Sequence, residues 1–405
     1  MRSNGEPGGA SAHDLAKDFD HLDPAVARVI HETTAELRRG CPVARSGAHG
    51  GFVALTKQAD IITAAMRHDE FSSAVDGIGA TMLLPGTGGV NAPLFESDPP
   101  EHNDWRKLMS PFFTPTAAAE HEERVRVLTR RVVRELRPQG RSDLVADLAA
   151  RIPPVLVAVL LGVPPEQHDD LARHARSMTS ATSAAEAAAA GEAFADFLSA
   201  QIRDRRGRPG SDVLTAVVNA DFGRGPASDG ELLKFAFLMV AAGHLTTTDT
   251  IANTALVLAL DPELRGRVVA DPALIPELIE ESVRHESAVA ATGRRVLVDT
   301  RIGEVDLKPG ERLLLLWGSG NRDEDVVDDG DVFRLGRGRG RQLGWGAGVH
   351  RCLGQHLARV ELRVVFEELL AAIPSFELEP GFEPERTFGV LRGVRALPVR
   401  WPVEA

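Results

Sequence analysis

The 405-residue chain contains no tyrosine, only two cysteines and no long apolar run. Cys41 and Cys352 are too few for a disulfide framework, so we expect a protein of the reducing cytoplasm. No stretch approaches the roughly 18–20 apolar residues of a membrane span, and we expect neither signal peptide nor anchor. The net charge of −12 argues against a nucleic-acid partner, because phosphate binding requires excess positive charge.

Apolar residues recur at helical spacing along most of the chain. The predicted helices are 104–113, 117–137, 143–161, 182–205, Asp229–Leu260, 272–285 and 354–373. Short runs with strand character lie at 51–55, 294–298, 313–317 and 396–401. The helix 143–161 must bend or break at Pro153 and Pro154. This pattern predicts a mainly α protein with a small β-rich region, formed by one domain over 14–405 after a disordered segment 1–13.

One decapeptide, Trp-Gly-Ala-Gly-Val-His-Arg-Cys-Leu-Gly at positions 345–354, carries most of the functional information. It presents a single thiol, Cys352, on a glycine-rich loop just before an amphipathic helix. One sulfur cannot build a four-thiolate zinc or iron–sulfur site, but it can be the axial ligand of a haem. Glycines such as Gly346 and Gly354 allow the backbone to approach a flat macrocycle and to point amides at the sulfur. A buried structural cysteine in a glycine-rich turn is the alternative.

The decapeptide resembles the haem-thiolate signature of the cytochrome P450 family, Phe-Gly-x-Gly-x-His-x-Cys-x-Gly, with Trp345 in place of the phenylalanine. The resemblance extends from about residue 41 to the C-terminus. It implies the family's fold, a large helical domain with a small β-rich region, and haem b as the cofactor. It also implies that Cys352 ligates the iron and that the ring of Trp345 packs beside the sulfur, to which its N–H adds a possible donor.

A threonine cluster follows Gly243 within the predicted helix Asp229–Leu260. Threonine hydroxyls can bond the carbonyl one turn back and open the helix, so we expect an interruption there that leaves room for a small molecule or water. The segment resembles the family's oxygen-activating helix, Ala-Gly-x-(acid)-Thr-Thr. The resemblance implies that Thr246, next to Thr247, organises proton delivery. Leu245 stands where the family usually has an acid.

A leucine cannot relay protons, and three explanations remain open. Water held by Thr246 and Thr247 could carry the protons unaided. His244 or Asp249 could substitute for the acid, although each points to a different face of the helix. Alternatively, the substrate supplies the proton, and the enzyme couples substrates oxidatively without inserting oxygen.

Four basic residues resemble the positions at which the family binds the haem propionates: His102, Arg106, Arg294 and His350. Charge-assisted hydrogen bonds from arginine and histidine suit the anchoring of a dianionic cofactor. Because His102 and Arg106 lie four residues apart on a predicted helix, both reach the same side of it.

A Glu-x-x-Arg pair, Glu281 and Arg284, shares one helix face at i, i+3. By its spacing alone it is an ordinary ion pair of little energetic value. It resembles the family's structural Glu-x-x-Arg, which implies that the pair, together with Arg334, holds the haem loop in position.

Substrate contacts are predicted only by analogy with the family. The candidate segments are 75–96, 177–194, 235–242, 288–292 and 388–391. The candidate contact residues are Leu83, Leu84, Val240, Leu245, Val289 and Val390. These side chains predict a largely hydrophobic or aromatic substrate of moderate size, although ordinary core packing explains them equally well.

The resemblance implies a monooxygenase that uses dioxygen and two electrons to oxidise a small metabolite, in secondary-metabolite biosynthesis. Because the chain contains no flavin or iron–sulfur motif, the electrons must come from a partner, and we expect a ferredoxin with its reductase and a monomeric enzyme. A basic patch of Arg341, Arg351, Arg359 and Arg363 would steer an acidic ferredoxin. Two alternatives are an enzyme of the same fold that couples aromatic or cyclic-dipeptide-like substrates through C–C or C–N bonds, and a non-catalytic haem sensor or carrier.

Overall fold

The computed structural model describes residues 12–74, 91–180, 183–338, 340, 342–387 and 389–403. The α-helices in these ranges are α1 (Ala12–Asp18), α2 (Pro24–Arg28), α3 (Ile30–Gly40), α4 (Gln58–Met66), α5 (Glu101–Met109), α6 (Pro115–Ala119), α7 (Glu122–Leu136), α8 (Pro153–Leu160), α9 (His168–Ser180), α10 (Ala184–Arg205), α11 (Val213–Val218), α12 (Asp229–Leu260), α13 (Pro262–Ala270), α14 (Ile275–His285), α15 (Trp317–Gly320) and α16 (Gln355–Ala372). Single 3-10 turns lie at Ala48–Gly50, Ser110–Phe113, Arg137–Gln139, Pro165–Gln167, Pro272–Leu274 and Gly348–His350, and Val145–Ala149 forms a π-helix.

The β structure is small and lies in three sheets. The strands are β1 (Val43–Ser46), β2 (Phe52–Leu55), β3 (Phe71–Ser72), β4 (Arg141–Asp143), β5 (Thr292–Val296), β6 (Thr300–Ile302), β7 (Val305–Leu307), β8 (Arg312–Leu315), β9 (Glu377–Leu378) and β10 (Pro398–Arg400). One sheet has the order β1-β2-β8-β5-β3, a second β4-β10-β9, and a third pairs β6 with β7. All pairings are antiparallel except that of β2 with β8, in which Val53 faces Leu313. The prediction of a mainly α protein with a small β region is confirmed.

Helix α12 has the predicted bounds and begins at a capping box. The hydroxyl of Ser228 accepts a hydrogen bond from the amide of Glu231, and the Glu231 carboxylate accepts one from the amide of Ser228 at 2.9 Å. The expected interruption after Gly243 is wrong, because all 32 residues of α12 are helical. The hydroxyl of Thr246 does donate to the carbonyl of Ala242 at 2.6 Å, but this bond adds to the helix ladder without opening it.

The predicted helix 143–161 is instead divided in three. Residues 141–143 form β4, the π-helix follows, and α8 starts at Pro153. Proline suits the first turn of a helix, where its missing N–H has no partner to lose, so the proline pair begins a helix here where we expected it to bend one. Helices α1, α2, α3, α4, α9, α11, α13 and α15 were not predicted.

Helix α12 crosses the largest apolar core and packs against α8, α10, α14 and α16. Gly243 permits the close approach to α8, because a Cβ at this position would lie 2.7 Å from Cγ2 of Val157. The predicted disordered segment 1–13 lies outside the described residues except for its last two, which belong to α1. The single domain over 14–405 stays a prediction.

Candidate active site

A cavity of about 1680 Å³, including the part open to solvent, lies between α12, α16 and the cysteine loop. It brings together eleven residues that the sequence singled out. They are Arg106, Gly243, Thr246, Thr247, Val289, Arg294, Trp345, Gly346, His350, Cys352 and Gly354. These residues come from five separate regions of the sequence, so their convergence on one cavity is a property of the fold.

The cysteine loop owes its shape to a hydrogen bond and to glycines. The amide of Cys352 donates to the carbonyl of Trp345 at 2.8 Å. Gly348 has φ +68°, and a Cβ there would lie 2.0 Å from the carbonyl oxygen of Ala65, so only glycine fits. At Gly354, by contrast, an added Cβ would meet no described atom within 4 Å, which leaves room for a flat group beside the sulfur.

Burial raises the pKa of the Cys352 thiol, although the amide of Gly354 and the charge of Arg106 partly oppose the shift. A thiol in such surroundings stays protonated by itself, whereas a metal cation would bind it as the thiolate. The sulfur is therefore suited to being a metal ligand and poorly suited to being a free nucleophile.

Two imidazoles and two guanidinium groups form one cluster, in which Arg106, Arg294 and His350 line the cavity and His102 contacts His350 without lining it. The rings of His102 and His350 are 4.5 Å apart, and Nε2 of each has no hydrogen-bond partner among the described residues. Burial lowers the pKa of Arg294 to about 10. Burial, followed by the charges of Arg294, His102 and Arg106, lowers the pKa of His350 to about 2.

Such a cluster is costly, because the two guanidinium groups lose hydration and disfavour positive charge on the neighbouring imidazoles. Asp98 is the acidic neighbour that partly offsets the charges of Arg294 and His102. An anion with several acceptor oxygens would satisfy the orphaned ring nitrogens and stabilise both guanidinium groups. The residues present therefore fit the two carboxylates of a haem.

The face of α12 that lines the cavity carries a ladder of hydroxyls. Thr246 donates to Ala242 as described, and Thr250 donates to the carbonyl of Thr246 at 2.8 Å. Since each hydroxyl donates its hydrogen bond to a carbonyl of the helix, its lone pairs remain able to accept a hydrogen bond from water in the cavity.

Neither of the two side chains considered as substitutes for Leu245 lines the cavity. Burial lowers the pKa of His244 to about 4, so this imidazole is neutral. Burial raises the pKa of Asp249 to about 7, against the charge of Arg386. Leu245 itself is also absent from the cavity wall, so the position of the family's usual acid does not face this space.

Glu361 does line the cavity, and the sequence analysis missed it. It is 3% exposed, and its Oε1 has no hydrogen-bond partner in the part of the chain that the structure describes. Burial alone raises its pKa to about 8. A signal was present: Glu361 lies four residues from Leu357 and from Val365, both buried, and so interrupts the apolar face of α16.

The indole N–H of Trp345 does not turn to the sulfur. It donates to Oε2 of Glu280 at 3.3 Å. The guanidinium of Arg359 stacks on the indole, 4.5 Å from its centroid, and its Nε donates to Oε1 of Glu280 at 2.5 Å. The extra N–H of the tryptophan is therefore used by a neighbouring carboxylate on α14.

The Glu-x-x-Arg pair forms as predicted. Arg284 donates to both carboxylate oxygens of Glu281 at 2.8 Å and also to three backbone carbonyls, those of residues 321, 330 and 332. Arg334 contributes only its backbone amide, which donates to Glu281 at 2.9 Å. The guanidinium that joins the pair belongs to Arg337, whose Nε lies 3.0 Å from Glu281. The buried carboxylate thereby ties α14 to the segment that leads to the cysteine loop.

The predicted substrate residues are only partly brought together. Leu83 and Leu84 lie outside the described residues. Val289 lines the cavity, whereas Val240 and Val390 are buried elsewhere and, like Leu245, do not line it. Leu238 and Met239 line the cavity within the predicted segment 235–242, whereas the apolar lining residues Phe113, Leu156 and Leu160 were not predicted. They belong to helices whose inward faces could not be assigned before their packing was seen.

The expected basic patch is largely neutralised. Arg359 pairs with Glu280, and Arg363 pairs with Glu122 and Glu367 at 2.6 and 2.8 Å. Arg351 is exposed, and Arg341 lies outside the described residues. Ion pairs of this kind leave little net positive charge on the described part of α16.

A mainly helical fold that places one cysteine, a set of buried cations and a threonine-bearing helix around one cavity is typical of haem-thiolate proteins. The sequence model of the cytochrome P450 family matches residues 269–391. The chain is 30% identical to linalool 8-monooxygenase of Pseudomonas putida, over 89% of this chain and 93% of that protein. It is 34% identical to mycinamicin IV hydroxylase/epoxidase of Micromonospora griseorubida, over 77% and 80%. Its structure resembles that of a post-tailoring hydroxylase involved in himastatin biosynthesis, with a TM-score of 0.79, 31% identity and coverage of 87% and 91%.

The chain therefore belongs to the cytochrome P450 family. Its cofactor is haem b, and it is an oxidoreductase of the monooxygenase type that depends on a redox partner for electrons. Within the described ranges, no helix combines the length and the apolar character needed to cross a membrane.

Proposed function

We propose that this P450 inserts oxygen into a small, largely hydrophobic or aromatic metabolite in secondary-metabolite biosynthesis, with Cys352 as the iron ligand. The observation that carries the proposal is that Cys352, from the loop before α16, and Thr246, from α12, line one cavity. Bound haem supplies the activation of dioxygen, which its thiolate ligand favours by donating electron density.

The haem is held by its carboxylates as well as by its iron. In this proposal His102, Arg106, Arg294 and His350 bind the propionates, because Nε2 of each histidine is buried without a partner among the described residues and the guanidinium of Arg294 is buried close to His350. Gly346 and Gly354 keep side chains away from the macrocycle. Glu281 and Arg284 act as a scaffold that holds the loop and do not take part in the chemistry.

Thr246 and Thr247 position water in the cavity, and Gly243 allows the close approach of α12 to α8. The carbonyl of Ala242 fixes the Thr246 hydroxyl, whose lone pairs then orient a water O–H. The threonines thus hold protons in place, but they do not constitute a source of protons.

A hydrophobic substrate is supported by the lining, in which Leu156, Leu160, Met239 and Val289 present apolar surface. The named relatives act on linalool and mycinamicin IV or belong to himastatin biosynthesis, and these names favour a specialised metabolite. Oxidative coupling without oxygen insertion is the second candidate, because Leu245 stands where the family usually has an acid.

We further propose a monomer with a single domain over 14–405, and a ferredoxin with its reductase as the electron source. Arg351 supports a ferredoxin contact because it is exposed next to the cysteine loop. Arg359 and Arg363 each form an ion pair with a glutamate, so the electrostatic steering of a ferredoxin is weaker than the number of arginines suggests.

The proposal is tested first by titrating the haem-loaded protein with linalool and mycinamicin IV and recording the absorption change that follows displacement of water from iron. A product formed under ¹⁸O₂ with surrogate ferredoxin and reductase is then analysed by mass spectrometry. Incorporated label supports oxygen insertion, whereas a coupled product without label supports the second candidate. If Cys352→Ala retains the thiolate-type absorption of the reduced CO complex, the assignment of the iron ligand is wrong.

A further inference from the structure

The segment 287–292 separates two cavities and is called the partition below. Three of its residues line the cavity that also contains Cys352, the haem cavity, namely Ala288, Val289 and Thr292. Three others line a second cavity of about 550 Å³, including the part open to solvent, namely Ser287, Ala290 and Ala291. Residues of α2 and α3 form the far wall of this second cavity. The partition therefore has free space behind it, into which it can withdraw from the haem cavity.

The second cavity is polar, so water can occupy it. His21 lines it and is only 4% exposed, and neither ring nitrogen of His21 has a hydrogen-bond partner among the described residues. Thr34 and Glu286 add further polar groups to its wall. Polar cavities hold ordered water, which supports a neighbouring segment less firmly than close-packed side chains do. Hydrogen bonds therefore have to fix the position of the partition.

Backbone hydrogen bonds join the partition to the segment 389–394. The amide of Ala290 donates to the carbonyl of Val390 at 2.8 Å, and the amide of Arg392 donates to the carbonyl of Ala288 at 2.9 Å. The two segments are thereby held side by side, so a side chain that fixes one of them also fixes the other.

Glu286 ties both segments to the N-terminal helices. It is 5% exposed, and its Oε2 accepts a hydrogen bond from Nε of Arg392 at 2.7 Å. Its Oε1 accepts one from Nε2 of His31 on α3 at 2.8 Å and lies 3.5 Å from Nη2 of Arg322. Arg392 also donates to the carbonyl of Ala27 in α2 at 3.0 Å. One buried carboxylate therefore connects the partition, the segment 389–394 and α3.

Stability alone does not account for this buried ion pair. Burial removes the hydration of Glu286 and of Arg392, and their mutual attraction offsets that loss only in part. Apolar side chains of similar volume are often equally stabilising in such a place. A charge-assisted hydrogen bond, however, has a well-defined direction and length, and apolar contacts do not. The pair is therefore suited to holding a wall of the haem cavity at a defined position.

We propose that Glu286 and Arg392 are positioning residues that set the shape of the haem cavity and so determine which apolar ligands it accepts. The inference rests on the proposed function and deepens it. The pair holds Ala288 and Val289 forward against a ligand, and the partition withdraws into the second cavity when the pair is weakened. Neither Glu286 nor Arg392 lines the haem cavity, so both act on the ligand only through the partition.

The test compares two azoles that bind haem iron through a nitrogen atom. Imidazole is small and reports on the iron, whereas 4-phenylimidazole also places a ring against the cavity wall. Dissociation constants are measured from the absorption shift of the haem-loaded protein. Arg392→Lys keeps the charge but loses the forked contact with Glu286 and Ala27. In this variant we expect 4-phenylimidazole to bind about 10-fold more weakly and imidazole to change by less than about twofold.

Arg395→Lys is the matched control. Arg395 lies three residues further along the chain and pairs with Glu385 at 2.8 Å, but its side chain is 53% exposed. Both azoles should bind this variant as they bind the unmodified protein. Glu286→Asp keeps the charge and shortens the side chain by one methylene group, so it should show the same selective loss of 4-phenylimidazole binding as Arg392→Lys.

Failure of this proposal and failure of the proposed function give different results. An unmodified protein without the thiolate-type CO spectrum contradicts the proposed function. If that spectrum is intact and Arg392→Lys keeps the ratio of the two dissociation constants, only the positioning role is wrong. Equal weakening of both azoles also keeps the ratio and would mean that the haem itself is displaced. If Arg392→Lys and Glu286→Asp take up no haem, the same ratio decides in His31→Leu, which removes only the contact with α3 and should show the same selective loss.

Discussion

Removal of the Glu281 carboxylate should be the most destabilising single change near the cysteine loop. The side chains of Glu281 and Arg284 are only 5% and 6% exposed, and their two hydrogen bonds are both 2.8 Å long. In Glu281→Ala the guanidinium of Arg284 stays buried with carbonyl acceptors but no counter-charge, and Arg337 loses its carboxylate partner and keeps only backbone carbonyls. Removing one partner of a buried ion pair costs about 3–5 kcal/mol, so we expect the free energy of unfolding to fall by this amount.

The measurement is urea unfolding of the haem-loaded protein at pH 7, followed by far-ultraviolet circular dichroism and by haem absorption. Asp204→Ala is the control, because its pair with Arg208 is also on one helix but its side chains are 62% and 67% exposed. Exposed helical ion pairs contribute about 0.3–0.5 kcal/mol, so this change should have little effect on the free energy of unfolding. A loss below about 1 kcal/mol in Glu281→Ala would refute the view that the pair holds the loop.

Three further changes test other parts of the site. Gly243→Val should destabilise the protein by about 1–3 kcal/mol in the same unfolding assay, because its Cβ would meet Val157 at 2.7 Å, and an unchanged midpoint would contradict the close helix contact. Trp345→Phe should leave the thiolate-type CO spectrum in place, because the indole N–H binds Glu280 and not the sulfur; a large spectral shift would contradict this geometry. Cys352→Ser should abolish that spectrum while circular dichroism stays helical, and its retention would mean that another ligand binds the iron.

The residues near Cys352 were predictable because the chemistry of the loop depends on local sequence. The loop requires glycine at fixed positions of the sequence. Gly348, for example, has a positive φ and lies too close to the backbone of Ala65 for any side chain. Helix α12 was predictable to the residue for a similar reason, since the cap at Ser228 is a local signal. Propionate positions such as Arg294 came only from resemblance to the family, as an isolated arginine in a strand gives no physical signal.

Contacts between distant segments could not be predicted in the same way. Arg334 was expected to complete the Glu281 pair, yet Arg337 does so, because the turn geometry between them decides which guanidinium reaches the carboxylate. Glu361 was overlooked because burial of an acid depends on the neighbouring helices, although the apolar residues on either side were visible. The use of the Trp345 N–H likewise depends on α14, which lies about 65 residues earlier in the chain.

The environment of Trp345 and the buried acid Glu361 are connected through α16. Arg359 of this helix stacks on Trp345 and binds the same carboxylate as its indole, while Glu361, two residues further on, faces the cavity. Two residues turn an α-helix by about 200°, so the two side chains point to nearly opposite sides of α16. One helix therefore holds the aromatic ring next to the cysteine loop on one side and carries a buried carboxyl group that lines the cavity on the other.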